Sequence, residues 1–372
     1  MSEGQALPLV SIVTPSYNSA SFVNETIQSI LSQDYPYIEH IVVDGASTDG
    51  TAEILQQYPH LLWISEPDHG QSDALNKGFK MAIGDILCWL NADDTLAENA
   101  VQAAVDAFQA DPQVNLVYGD FNIIDHVGQV TDTIVTKEFD LVAQLMSNLV
   151  SATGVFIRRS VLDRVGYLDL SFDYAMDYDF WLRIARIGKL QRMPKLMSNF
   201  RKCQGTKSAE HPERFWPEII QAIDRFYENE HDLPEAARQA RQRVYGFNYW
   251  QAGLAFYAAD QPEQARNYCQ VAIRQYHLLR FNPGKAVLAL VHWAIIRSAK
   301  EPEDYTTSLL SDLRASGLLS RKIERKFLGH FYAALAFARC QQNDADGVRR
   351  CLFNCFVRDP PRGWGSLGRE VE

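Results

Sequence analysis

The 372-residue chain predicts an α/β protein, a Rossmann-like and mostly parallel open sheet followed by an all-α segment. Three observations predict it. Apolar runs of strand length alternate with helical periodicity as far as residue 208; beyond it only helical periodicity continues; and acidic residues cluster where the apolar runs end. The first run, LVSIVTPSYN (Leu9 to Asn18), closes on Thr14 and Pro15 and reads as a buried parallel strand. Ser21 to Gln33 places Phe22, Ile27, Ile30 and Leu31 at helical spacing, and IEHIVV (Ile38 to Val43) is a second strand ending in Asp44. Strand, helix, strand makes a right-handed crossover. Helix 51–58, strand 61–65, helix 72–82 and strand 85–90 continue the alternation. In such open sheets the ligand lies beyond the carboxyl ends of the strands, where Thr14, Asp44, Asp68 and Asp93 fall.

Composition narrows the function. With 47% apolar and 22% charged residues the chain is long enough for two cores, and we place domains at 1–208 and 209–372. A formal net charge of −10 speaks against nucleic-acid binding, which is driven by neutralising phosphates with Lys and Arg. The six cysteines form no CxxC pair, which disfavours a zinc ribbon and suits a reducing compartment. MSEGQALP lacks the basic and apolar regions of a signal peptide, and no run reaches the roughly 18 apolar residues of a spanning helix. The expected location is cytoplasmic, with the inner membrane face as the alternative.

The segment WLNADD (Trp89 to Asp94) delivers Asn91, Asp93 and Asp94 together after an apolar strand. Acidic pairs in turns cap helices, but oxygen ligands so spaced also suit Mg²⁺ or Mn²⁺, which bind through one or two carboxylates plus substrate phosphates. Five blocks stand together in order: PSYN (15–18), DGASTDGT (44–51), EPDHGQSDALNKG (66–78), GDILCWLNADD (84–94) and MDYDFWLR (176–183). On these blocks the chain resembles the family 2 glycosyltransferases, the inverting enzymes of the GT-A fold. The resemblance implies transfer of a sugar from a nucleoside-diphosphate-sugar, a UDP-sugar being the commonest, to a sugar or lipid-linked acceptor hydroxyl in surface polysaccharide or glycolipid biosynthesis.

By the family pattern Asp93 touches the metal, Asp94 assists directly or through hydrogen bonds, and the first position of the triplet addresses the ribose. Relatives often carry Asp there; this chain has Asn91, and Asn91→Asp is expected to be tolerated. Thr14, Pro15 and Tyr17 correspond to the base pocket, although Tyr17 reads equally as core. Asp44 matches the nucleobase and ribose contact, or else caps the turn of Gly45, Ser47, Asp49 and Gly50. Asp68 and Asn76 belong to the donor loop and its helix. Where relatives place Arg before the Asn, Leu75 stands, so Lys77 is taken as the phosphate contact, against a reading as a solvated surface lysine. His69 is a loop histidine with the diphosphate as a second reading.

Aligning on Phe180, Trp181 and Arg183 makes Asp177 the catalytic base and leaves Asp179 to cap the helix. In NFRKCQGTKS (Asn199 to Ser208), relatives commonly have His at the position of Cys203, a soft ligand unsuited to Mg²⁺ or Mn²⁺, so either Asp93 and the diphosphate hold the metal alone or another group such as His211 compensates. Arg201 is left to clamp phosphate. Ten Lys or Arg against five Asp between Arg158 and Lys202 read either as a solvated face or as a groove for an anionic acceptor.

From Pro212 on, helices alone are expected, and Tyr249–Tyr268 aligns with Tyr332–Cys351 at an offset of 83, as in tetratricopeptide-type hairpins or in generic antiparallel helix packing. Ala286 to Ile296 is a core helix, with an interfacial membrane helix as the other reading. This half is expected to recruit a protein partner or the membrane periphery rather than to supply chemistry. Two other classes fit part of the sequence. A sugar nucleotidyltransferase requires a Gly-rich loop where PSYNSAS has none, and a catalytically silent nucleotide-sugar-binding scaffold has no need of Asp93 and Asp177.

Overall fold

All seven residues of the first strand, β1 (Val10–Ser16), are buried, which is why the run shows no polar alternation. The structure, a computed structural model, describes residues 7–202, 211–228, 233–281, 283–297, 301–341 and 344–358. Cys203 lies outside them. The chain forms two compact units, residues 1–210 with 221–234, and residues 211–220 with 235–372.

In the first unit β1 pairs in parallel with β2 (Ile38–Asp44) and β4 (Ile86–Trp89), and β2 with β3 (Leu62–Ser65). This parallel half matches the predicted alternation of strands with helices α1 (Val23–Leu31), α2 (Thr51–Leu55) and α3 (Gln71–Met81). Beyond β4 the sheet becomes mixed. It continues through β8 (Val155–Arg158), β6 (Val114–Ile124), β9 (Lys189–Arg201) and β5 (Thr95–Leu96), with β7 (Val130–Ile134) on β6. The pairings β4–β8, β6–β8, β6–β7 and β5–β9 are antiparallel, whereas β6–β9 is parallel.

Both faces of the parallel half are covered. Val10, Ile12, Ile86 and Cys88 pack with Ala100, Val101, Ala104 and Phe108 of α4 (Ala100–Ala110) on one side. Val42 meets Val23, Ile27 and Leu55. Against α3 the approach is closest at Gly78, where an added Cβ would lie 2.3 Å from Val13 Cγ1. The β1–β2 register sets Ser16 beside Asp44 at the carboxyl edge, and Leu90 N–H donates to Val13 O at 3.2 Å, so the triplet emerges alongside the end of β1. The rest of the unit's helices, α5 (Leu141–Met146), α6 (Leu162–Val165) and α7 (Met176–Ala185), lie between the later strands in sequence.

The second unit is helical among its described residues. Helix α8 (Phe215–Glu228) spans the division, followed by α9 (Glu235–Ala258), α10 (Pro262–Gln270), α11 (Leu278–Phe281), α12 (Pro283–His292), α13 (Pro302–Ala315), α14 (Arg321–Gln341) and α15 (Ala345–Arg358). The two aligned segments both fold as helix hairpins, α9–α10 and α14–α15. Helix α10 stops earlier than its periodicity suggests, because residues 271–275 widen into a π turn and His277 takes a positive φ of 48°. In α12 Ala286 and Leu290 are wholly buried and Ala286 O accepts from Trp250 Nε1 at 2.9 Å, so the helix is core. Among the described residues no helix is long and apolar enough to cross a membrane.

Gly78→Ala brings two effects into conflict: a helical Gly-to-Ala change gains about 1 kcal/mol of propensity, and overpacking a closed core costs about 1–3 kcal/mol. Val13 is 0% exposed and stiff at χ1, so the clash wins. The variant is expected to lower the urea midpoint of the first unit, whereas Gly284→Ala, with no atom within 4 Å of its added Cβ, leaves stability unchanged or raised.

Candidate active site

Strand ends put the chemistry in place. Trp89 closes β4, and its indole Nε1–H donates to Asn91 Oδ1 at 2.8 Å. Gln71 Nε2, at the start of α3, donates to the same oxygen at 2.8 Å, while Asn91 Nδ2 donates to Asp94 Oδ2 at 3.0 Å. Arg201 N–H, at the end of β9, donates to Asp94 Oδ1 at 2.8 Å. Thr26 Oγ1 on α1 donates to Ala92 O and Asp94 O at 2.9 and 2.7 Å. The triplet is therefore held by four elements.

Asp93 differs from its neighbours. It is half-buried, and its own peptide N–H donates to its carboxylate. Burial raises its pKa, opposed by that N–H and by the Arg201 charge; burial and then the Asp93 charge raise that of Asp94, opposed by the Arg201 peptide N–H. Two adjoining carboxylates that resist ionisation together suit a hard cation. Asp93 has the open oxygens to take Mg²⁺ or Mn²⁺, which keeps waters and phosphate oxygens for its other positions. Asp94 does not: it is 0% exposed and both its oxygens accept from the protein, so its part is to hold the loop. Among the described residues no three His, Cys, Asp or Glu converge as a ligand cage.

Several expectations change here. Arg201 is 1% exposed and cannot reach a phosphate. Its Nε donates to Asp93 O at 2.8 Å, Nη1 to Asp125 O at 2.8 Å and Nη2 to Glu25, and its guanidinium lies 4.7 Å from the centre of the Phe22 ring. Asn76 is 7% exposed and clamps Leu168, donating to its O at 2.8 Å and accepting its N–H at 2.9 Å. Lys77 pairs with Glu66 at 2.8 Å and Asp73 at 3.5 Å. The Thr14 hydroxyl bonds His40 at 3.0 Å inside the sheet, and Pro15 is buried in β1. Asp44 is the turn cap: wholly buried, it accepts from Ser47 N–H at 3.0 Å and Ser65 Oγ at 2.6 Å. Asn91 has its oxygen and amide engaged as above.

Tyr17 and Asp68 do come together. Tyr17 is 69% exposed and not core, and a Cβ at Gly45 would sit 3.3 Å from its ring and 2.8 Å from Asp68 Oδ2. Gly45 thus floors a narrow slot between a tyrosine and a carboxylate. His69 is an exposed loop residue whose N–H donates to Asp73 Oδ2 at 3.1 Å. His211, in the second unit, has its Nδ1 3.5 Å from Glu213.

Asp177 lies in the first turn of α7, half-buried, with Oδ1 accepting from Tyr178 N–H and Oδ2 from Asn148 Nδ2, both at 2.8 Å. Burial pushes its carboxyl up to about 6, opposed by the Tyr178 N–H, the Asn148 amide and its own peptide N–H. One turn on, the Trp181 ring lies 5.9 Å from the Trp89 ring, tying this helix to the strand that ends in the triplet. Asp179 makes no cap; it pairs with Arg183 Nε at 2.8 Å. The basic residues from 158 to 201 also find protein partners: Arg158 binds Val114 O and Phe108 O, Arg159 Gly84 O, Arg164 Ile187 O, Arg186 Phe226 O, Lys189 Asp111 and Arg192 Asp120. Among the described residues these basic groups are engaged by the protein itself. Gln71 and Asn148 were missed in the sequence; Gln71 lies inside a family block, whereas nothing near Asn148 marks it.

A GT-A nucleotide-sugar transferase fold with an acidic triplet at its switch point defines the class. Residues 11–166 match the model of glycosyl transferase family 2. A PGL/p-HBAD biosynthesis glycosyltransferase of Mycobacterium bovis (strain BCG / Pasteur 1173P2) is 32% identical over 184 residues, 48% of this chain and 70% of that protein. An uncharacterized glycosyltransferase of Rickettsia typhi is 30% identical over 199 residues, 51% of this chain and 63% of the relative. The crystal structure of S. aureus TarS 1-349 in complex with UDP-GlcNAc shares the fold, with a TM-score of 0.53, 17% identity, and coverage of 93% of this chain and 90% of that one. The chain belongs to glycosyltransferase family 2. It spans 35% to 63% of the length of rickettsial relatives such as those of R. felis and R. typhi.

Two substitutions check the site's construction. Arg201→Ala leaves the carbonyls of Asp93 and Asp125 without their donor while the half-exposed Glu25 turns to water, and is expected to cost about 2 kcal/mol or more, since an unsatisfied buried polar group costs about 1–3 kcal/mol. Thermal melts should show it, with Arg201→Lys rescuing little because an ammonium lacks the fork. Asn91→Asp, expected from the family pattern to be tolerated, instead sets a carboxylate against Asp94 Oδ2 and should lower the melting temperature.

Proposed function

We propose that the chain is an inverting, metal-dependent glycosyltransferase that moves a hexosyl group from a UDP-sugar to an acceptor hydroxyl in surface polysaccharide or glycolipid assembly. The observation that carries this reading is Asp177: a carboxylate with a raised pKa and partial solvent contact, on a helix packed through Trp181 against the strand that delivers Asp93. The name of the M. bovis relative, which places it in PGL/p-HBAD biosynthesis, supports a glycolipid-type acceptor. The UDP-GlcNAc held by TarS makes UDP-sugars the first donors to try.

In this reading Tyr17, Gly45 and Asp68 receive the nucleoside, with the backbone at the Pro15 end of β1 beside them. Asp93 would hold Mg²⁺ or Mn²⁺, and the bound cation would supply charge neutralisation for the leaving diphosphate. Asp177 accepts the proton of the acceptor hydroxyl as its oxygen bonds the anomeric carbon and the bond from that carbon to the diphosphate breaks. The nucleoside diphosphate leaves on the opposite face, giving inversion. The helical region 209–372 recruits a partner or the membrane periphery, and the chain works in the cytoplasm or at the inner face of the membrane.

The test is release of nucleoside diphosphate from a panel of UDP-, GDP- and dTDP-sugars with Mn²⁺; a folded chain that releases none and binds none in calorimetry would sink the reading. Asp177→Asn should reduce turnover by on the order of 10²-fold or more with donor affinity nearly unchanged. Asp93→Ala should remove the Mn²⁺ enhancement of donor binding while the melting temperature stays at or above that of wild type, since a raised carboxyl pKa opposes folding once ionised. For pH, a base must be deprotonated to act, so kcat/KM should fall as pH drops through about 6. An acid limb placed at an ordinary carboxylate value, or none, would show that Asp177 is not that base.

A further inference from the structure

Asp177 is held from outside its own helix by a chain of hydrogen bonds with one direction. Leu149 N–H donates to Gln144 Oε1 at 2.9 Å, Gln144 Nε2 donates to Asn148 Oδ1 at 3.0 Å, and Asn148 Nδ2 donates to Asp177 Oδ2 at 2.8 Å. The two ends fix everything between them. A peptide N–H only donates and a carboxylate only accepts, so neither amide can turn over without facing donor to donor or acceptor to acceptor. Gln144 is 0% exposed, while Asn148 lies at the surface, where water would otherwise satisfy its amide in any orientation.

The segment carrying these amides is anchored independently. Asp140 Oδ1 caps α5 by accepting Ala143 N–H at 2.7 Å, and Tyr178 Oη donates to Leu145 O at 2.9 Å, so α5 is pinned to the residue next to Asp177. We propose that Asn148 is a positioning residue for Asp177, with its amide oriented by the buried Gln144. This rests on the reading of Asp177 as the base.

The arrangement sets where the acceptor proton goes. Oδ2 takes the Asn148 amide and Oδ1 the Tyr178 peptide N–H, each on one lone pair, so the incoming hydroxyl meets a carboxylate whose rotation about its Cβ–Cγ bond is stopped. Aligned donors also polarise one another and favour the ionised carboxylate, against burial. Among the described residues no charged side chain is among the influences on the Asp177 carboxyl. Helix α5 carries no charged side chain, Asp179 and Arg183 on its own helix pair with each other, and on β9 Lys189, Arg192 and Arg201 pair with Asp111, Asp120 and Glu25. Lys195 of the same strand points its Nζ to Asn99 O.

The experiment is a carboxyl-carbon NMR titration of Asp177 in the full chain without ligand, assigned by its loss in Asp177→Asn, alongside nucleoside diphosphate release. Asn148→Ala should move the Asp177 midpoint to higher pH and lower kcat by roughly 10- to 100-fold, the range for a hydrogen bond to a charged group, with donor KM unchanged. Asn148→Asp has the same shape and still accepts from Gln144, but opposes acceptor to acceptor; it should move the midpoint further than Asn148→Ala. An added carboxylate raises the midpoint by like charge alone, so the pair that separates orientation from charge is Asn148→Ala with Gln144→Met. Gln144→Met should act in the same direction, and the double variant Gln144→Met/Asn148→Ala should match Asn148→Ala alone, because Gln144 acts through Asn148. Equal midpoints in wild type, Asn148→Ala and Asn148→Asp would overturn the proposal. If no nucleotide sugar is turned over, the base assignment fails, and the titration still decides whether the amides hold this carboxylate.

Discussion

The Arg201 guanidinium is the interaction on which the first unit's site depends. A buried cation is tolerated only when its donors are matched, and this one reaches the triplet backbone at Asp93, the turn at Asp125 and the α1 carboxylate of Glu25 from the last residue of β9. Its own peptide N–H holds Asp94. One residue therefore joins the parallel half, which delivers the acidic loop, to the mixed half, which closes over it. Asp93 stays open because Arg201 takes its carbonyl rather than its carboxylate.

Around that clamp, polar residues divide into those that hold backbone and those that face outward. Asp44, Asn76, Asn91 and Asp94 all have their hydrogen-bonding atoms engaged internally, and all four lie in family blocks. Tyr17, Asp68, Asp93 and Asp177 keep surface or open oxygens. On the proposed function this division separates scaffold from chemistry more sharply than residue type does, since Asp occurs in both sets. The raised pKa of Asp177 belongs to the same logic, for partial burial is what brings a carboxylate toward the pH at which it works as a base.

Much of the fold was legible because the parallel strands are buried on both faces and end in turn formers, so their apolar runs and the helical periodicity between them are unambiguous. The later strands were not. In β6 and β9 half-buried residues mix with buried ones and the partners are distant in sequence, which no local pattern records. At the site, block order points to the loops at the strand ends but not to which atoms remain free. Lys77 looked available until Glu66, eleven residues away, was seen to pair with it, and Arg201 looked like a phosphate clamp because a guanidinium that serves carbonyls has the same sequence signature. Asn148 carries no signature at all; its meaning lies in direction along a hydrogen-bond chain.

The indole pair of Trp89 and Trp181 has an optical consequence. Two rings 5.9 Å apart and inclined at 45° couple through their strong far-ultraviolet indole transitions, so the circular dichroism couplet they add there reports on their mutual angle rather than on either ring alone. One of them donates to Asn91 in the acidic loop and the other sits a turn away from Asp177. The protein thus carries, without any label, a chiroptical gauge between the acidic loop and the first turn of α7.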